Sequence, residues 1–231
     1  MPKKARATKR SRVGRRVGDY TTPQRMAQIF AALDQLFPQA QTALRHENAF
    51  QLLVATILSA QCTDERVNLV TPGLFQKYPT PQDFAALRQE VLEREIRSTG
   101  FFRSKAKNII AASKKIVADF GGEIPKTMEQ MLTLPGVARK TANVVLGSAY
   151  GLPTGVVVDT HVFRVAQRLK LSKQKTPEKV EQDLVKLAPQ DRWITFGHQM
   201  IWFGRKICQA RRPLCPDCPL ASICDSPDKT V

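Results

Sequence analysis

The chain has 231 residues, enough for one large domain or two small ones, and 42% of it is hydrophobic, enough to bury a core. Its 36 basic residues outweigh 20 acidic ones, and the resulting net charge of +16 favours a polyanionic partner, nucleic acid before an anionic membrane surface. No apolar run reaches the roughly 18 residues of a membrane helix, and the charged N-terminus lacks the apolar stretch of a secretory signal, so the expected location is the cytoplasm.

Residues 1–19 carry eight basic residues against one acid, Asp19. They lack the apolar content to fold, and a disordered tail is expected. It serves either as a solvated extension or as an arm that adds salt-sensitive DNA affinity. From residue 20 onward nearly every segment reads as helix. Thr22 with Pro23 signals an N-cap and first turn, followed by Met26, Ile29, Phe30, Leu33 and Leu36 at helical spacing. Ala49 to Gln61 is apolar on nearly all sides and reads as a central buried helix. Thr63 and Asp64 open the next. Thr80 with Pro81 opens one that runs through Phe84, Leu87, Val91 and Ile96, with Gly100 in the C′ position. Ile109, Ile110, Ile116 and Val117 mark another, and further helices are expected near 127–133, 138–150, 160–170, 177–188 and 193–207. The one extended-looking run, Gly155 to Asp159, is too isolated to build a sheet. The fold class is all-α.

Three features carry chemistry. Residues 132–142 read LTLPGVARKTA: one helix ends at Pro135-Gly136 and the next begins near Ala138. The unpaired N–H groups at the start of that second helix can hold a phosphate without reading sequence. Lys140 sits in its first turn. The positive end of the helix dipole disfavours protonation there, and partial burial would free the amine further as a nucleophile. Asp159 follows the apolar run Val156-Val157-Val158 and precedes Thr160 and His161. It can cap a helix, or it can stabilise a cation or act as a base. Finally, Cys208, Cys215, Cys218 and Cys224 are spaced C-x6-C-x2-C-x5-C within 17 residues. In an intracellular chain such a cluster reads as metal ligands rather than disulfides, with the metal left open.

LPGVARKTANVV together with VDTHVFRV resembles the endonuclease III family of DNA glycosylases. The C-terminal cysteine spacing is similar to that family's iron–sulfur pattern, and SAQCTD and TGFFRSKAKNI resemble two further family segments. The resemblance runs from about residue 20 to 226. It implies two helical domains flanking a DNA-binding cleft: residues 42–153 as a six-helix barrel with the helix–hairpin–helix, and 20–41 plus 154–231 as the iron–sulfur domain. It also implies a bifunctional glycosylase and abasic-site lyase that acts, as a monomer, on double-stranded DNA containing damaged pyrimidines or abasic sites. By this resemblance Lys140 is the Schiff-base lysine and Asp159 the catalytic aspartate, and the four cysteines hold a [4Fe-4S] cluster. Gln61 fills the gap left by the extruded nucleotide and Phe101 is an apolar wedge. Leu134, Gly136 and Ala138 belong to the hairpin, His161 to the cleft, and Arg211 and Arg212 to a basic loop on the DNA backbone.

The chain departs from the family pattern in places. Ala138 replaces a second glycine and is strained if that position needs φ > 0. Phe101 is larger than the familiar leucine. Cys62, where alanine is familiar, reads as a small apolar residue. The stretch before Asp159 is one residue longer than usual, which bears on the shape of the cleft. Three other readings compete. A monofunctional glycosylase lacks the lysine and carries an extra C-terminal domain. A DNA-binding iron–sulfur sensor needs neither Lys140 nor Asp159. A zinc module fits the cysteine spacing poorly.

Overall fold

The computed structural model describes residues 21–230; the basic tail expected at 1–19 lies outside them. All regular structure among the described residues is helical, and no helix is long and apolar enough to cross a membrane. Helix α1 (Pro23–Leu36) opens as expected, with the Thr22 side chain accepting from the Arg25 N–H and Pro23 in the first turn, and it buries Met26, Ile29 and Leu33. Helix α2 (Ala49–Leu58) is buried from Phe50 to Leu58. It stops three residues short of Gln61, because Ser59–Cys62 turn the chain toward Thr63, which caps α3 (Asp64–Lys77).

The single helix expected from Thr80 through Ile96 divides into α4 (Pro81–Ala86) and α5 (Gln89–Glu95). Leu87 and Arg88 are extended, at ψ 139 each. The break lets Phe84 pack edge-on against Phe50 and Tyr78 while Leu92 enters the same core. A 3-10 turn (Arg97–Thr99) then ends on Gly100 at φ 69, the C′ role expected of it. Helix α6 (Phe102–Phe120) follows, then α7 (Met128–Met131), α8 (Arg139–Tyr150), α9 (Thr160–Arg168), α10 (Pro177–Leu187) and α11 (Trp193–Lys206). The run from Gly155 to Asp159 has no regular structure, and Val156, Val157 and Val158 are buried.

Two hydrophobic clusters result. The first gathers residues from Leu44 to Leu146, around α2, α6 and α8. The second joins α1 to Val156, Val158, α9, α10, α11 and Leu220. Each fully buried Leu, Ile or Phe is worth about 2 kcal/mol, so either cluster offsets much of the ordering entropy of its segment.

The seam between the clusters is partly polar. Glu181 on α10 is buried and accepts from Arg139 Nε and Asn143 Nδ2 on α8, at 2.9 Å each, while Thr154 Oγ1 donates to Asn143 Oδ1. Buried His198 on α11 meets Ser148 of α8 at 3.1 Å. The start of α8 and the chain leading to α9 are thereby held against one another.

Candidate active site and nucleic-acid interface

The turn between α7 and α8 is tight. Val137 N–H donates to the Leu134 carbonyl at 3.1 Å, and both side chains are buried. Leu134 therefore anchors the turn through its side chain, which leaves only its backbone to face a partner. Gly136 is exposed at φ 77, and an added Cβ there would lie 2.7 Å from the Cβ of Asn108. Gly136→Ala combines a left-handed alanine with overpacking, so a loss of about 2 kcal/mol is expected. Urea unfolding checks the loss, and weaker abasic-duplex binding should accompany it. Ala138 resolves the question of strain: at φ −92 and ψ 168 it is ordinary extended backbone. It is the N-cap of α8, and no side chain caps that helix. Its first N–H groups are left free to donate to an anion.

Lys140 is the second residue of α8 and is exposed. The partial burial that would free its amine further is not present, because the first turn of α8 faces the cavity. Lys140 lines one cavity together with Asp159, Thr56, Asp64, Val157 and His198. Asp159 is half-buried and caps α9, with Oδ1 accepting from the N–H groups of His161 and Val162 at 2.8 Å each. Oδ2 takes no hydrogen bond among the described residues. The lengthened loop thus still brings the carboxylate into the same cavity as the lysine. His161 is half-buried beside Arg164, whose guanidinium stands 3.3 Å from Nδ1. Burial holds its pKa below the usual histidine range.

Reading the sequence alone did not find His198, Asp64 or Arg205 as cavity residues. Burial pushes His198 down to about 4, so a neutral imidazole stands in the cavity wall at neutral pH. Arg205 pairs with Asp64 at 2.7 Å across the two clusters. No local pattern signals that pair, since its members are far apart in the chain.

Gln61 and Phe101 are both exposed, Phe101 at 63%. Both have left-handed backbones, at φ 52 and φ 46. Of the described non-glycine residues only Lys170 shares that region. Such conformations cost about 1–3 kcal/mol and gather at functional sites. Cys62 packs, half-buried, against the first cluster.

At the C-terminal end the four cysteines are half-buried, unpaired, and line one largely apolar cavity. Burial pushes the Cys208 and Cys218 thiols up. Two arginines of α9 hold the adjoining loop. Arg164 donates to the Cys208 carbonyl, and Arg168 donates to the carbonyls of Gln209 and Ala210. Arg211 and Arg212 extend from that loop and are exposed. Arg164 and Arg168 went unnoticed in the sequence because VDTHVFRVAQR shows them only as charges at helical spacing.

Residues 54–190 match the HhH-GPD superfamily base excision DNA repair protein family. The chain is 55% identical over 203 residues to an endonuclease III of Synechocystis sp., covering 88% of this chain and 93% of that one. It is 47% identical to an endonuclease III of Bacillus subtilis, covering 86% and 92%. It also superposes on an endonuclease III in a non-covalent DNA complex, with a TM-score of 0.85, 44% identity, and coverage of 88% and 95%. A trapped covalent endonuclease III–DNA intermediate gives a TM-score of 0.82 at 45% identity, covering 87% and 95%.

Proposed function

The chain belongs to the endonuclease III family of the HhH-GPD superfamily of base excision DNA repair proteins, and from that footing we propose how its own residues perform the family's chemistry. It is a bifunctional DNA glycosylase and abasic-site lyase. The observation that carries the assignment of residues is the shared cavity of Lys140 and Asp159, each set at the start of a helix. Two positive helix ends and a basic surface suit a polyanion, and a lysine beside a carboxylate suits amine nucleophilic catalysis.

A damaged pyrimidine is out of reach inside a duplex and must be extruded. Gln61 fills the vacated space and Phe101 wedges the stack, offsetting part of the unstacking cost. The turn at Gly136 and Ala138, with the open N-terminus of α8, fixes the phosphate backbone, and Arg211 and Arg212 add contacts from the other side. The Lys140 amine attacks C1′. The base departs with the electrons of its N-glycosidic bond and takes up a proton. The amine then loses a proton, the C1′–O4′ bond breaks with O4′ taking a proton, and the Schiff base so formed acidifies the C2′ proton, whose removal expels the 3′ phosphate. Asp159 stabilises the cationic charge as it develops and assists proton transfer through Oδ2, while Oδ1 keeps α9 capped. Oxidised pyrimidines are the substrate class by resemblance to the family.

The four cysteines suit a [4Fe-4S] cluster. All four line one largely apolar cavity, a setting that suits a cluster held by four thiolates. Bound there, the cluster supplies a cross-link of Fe–S bonds. The chain's own contribution is the Arg164 and Arg168 brace, which presents Arg211 and Arg212. Purified protein is expected to be yellow-brown, with a broad absorption near ~400 nm and iron by elemental analysis; active protein that is colourless and zinc-loaded contradicts the assignment. We assign residues 42–153 to the helix–hairpin–helix domain and 20–41 with 154–231 to the cluster domain. The protein works as a monomer in the compartment of the chromosome, the cytoplasm of a prokaryote.

The reading as a whole is tested on a duplex carrying one oxidised pyrimidine. Base release followed by strand cleavage 3′ to the lesion is expected; base release that leaves the strand intact would make the protein a monofunctional glycosylase.

A further inference from the structure

Lys105 on α6 is 4% exposed, and nothing in the reaction above uses it. Its ammonium donates to the Leu58 carbonyl at 2.7 Å and to the Thr99 carbonyl at 2.8 Å. Leu58 ends α2 three residues before Gln61, and Thr99 ends the 3-10 turn two residues before Phe101. Immediately beyond these anchors both chains enter the left-handed region. No side-chain hydrogen bond among the described residues restrains Gln61 or Phe101 directly, so their placement depends on the backbone that carries them. Burial pushes the Lys105 ammonium below the usual lysine range. A methionine would fill the same space without that desolvation, so packing alone does not account for a charge here. An ammonium does what an apolar side chain cannot, binding two carbonyls from two separate segments at one point.

We propose that Lys105 is a positioning residue that ties the Gln61 loop to the Phe101 loop, so that both side chains enter the base stack as one unit. The proposal rests on the reading of Gln61 as gap filler and Phe101 as wedge. The physical requirement is spacing. Two side chains that together replace one extruded nucleotide must keep their separation to within an ångström, and a slip of that size costs about 100-fold in a reaction that depends on position. Lys105 meets the requirement far from the chemistry, since neither of its partners lies on α8 or α9. Its loss should therefore affect extrusion and leave the attack on an already accessible sugar intact.

The test compares Lys105→Met, Lys105→Gln and Lys105→Arg in two reactions. One is single-turnover excision from a damaged duplex, with 2-aminopurine beside the lesion reporting unstacking. The other is borohydride trapping on a single-stranded abasic oligonucleotide, which needs no extrusion. Lys105→Met should slow duplex excision and the 2-aminopurine signal roughly 10- to 100-fold and trap single-stranded substrate at the wild-type rate. Lys105→Arg should recover part of the loss. Gln61→Ala and Phe101→Ala should be non-additive in the wild-type background and lose that coupling beside Lys105→Met. Should Lys105→Met melt below the assay temperature, Lys105→Gln, whose shorter amide keeps N–H donors without the charge, carries the comparison. Wild-type duplex kinetics in the Lys105 variants, with Gln61→Ala and Phe101→Ala each slow, overturns the clamp and leaves the plug and wedge standing. Gln61→Ala and Phe101→Ala without effect overturns both. Equal losses on duplex and single strand make Lys105 a general structural support and overturn the proposal.

Discussion

Lys140→Ala should abolish borohydride trapping on abasic duplex while the protein still binds that duplex. Among the described residues the change removes the only amine that lines the cavity, since the other nitrogen bases there are the His198 imidazole and the Arg205 guanidinium, the latter paired with Asp64. A guanidinium stays protonated and makes no Schiff base. Binding should persist because the proposed phosphate contacts lie at the turn at Gly136 and the loop at Arg211 and Arg212, not at the lysine side chain. Alanine is also the best helix former at an exposed position, so the fold should be unaffected. Gel-resolved covalent complex formation, beside an equilibrium binding titration, reads both halves. Trapping that survives the substitution would move the nucleophile elsewhere.

Asp159 caps α9 and, on the proposed mechanism, also steadies developing positive charge, and two substitutions separate the two roles. Asparagine keeps an oxygen that can accept from His161 and Val162, and Asn and Asp are comparable N-caps. Asp159→Asn should therefore melt like the wild type and release base about 100-fold more slowly, since the charge that steadies the cationic intermediate is gone. Asp159→Ala removes the cap as well and should cost about 1 kcal/mol of stability in addition. Thermal melts with single-turnover excision distinguish the two. An asparagine variant with undiminished base release would reduce Asp159 to a helix cap.

The comparison of sequence with structure shows which signals travel. Helix starts marked by Thr-Pro were readable, because a fixed φ and a local side-chain acceptor act within four residues: α1, α4 and α10 all open that way. The division of α4 from α5 was not readable. Leu87 and Arg88 carry no glycine or proline, and their extended backbone answers to the burial of Phe84 and Leu92, a tertiary demand. The doubt over Ala138 came from expecting a glycine's backbone at a position that turned out extended. Within the site, Lys140 and Asp159 sit in contiguous motifs. Asp64 with Arg205 and Ser148 with His198 are brought together only by the fold, as are the three segments that meet at Lys105.

The two hydrophobic clusters differ in how they occupy the chain. The first is drawn from one continuous stretch, Leu44 to Leu146, whereas α1 completes a cluster whose other members begin at Val156 and end at Leu220. During synthesis the two must therefore mature in opposite ways. The continuous stretch can collapse as soon as it clears the ribosome. Helix α1, the first of the described helices to be made, packs chiefly against α11, so Met26, Ile29 and Leu33 lack much of their burial until α11 emerges near the end of translation. The nascent protein thus carries an exposed greasy helix through most of its own production. A ribosome stalled before residue 193 should display that helix to proteases and chaperones, while the stretch from Leu44 to Leu146 is already protected.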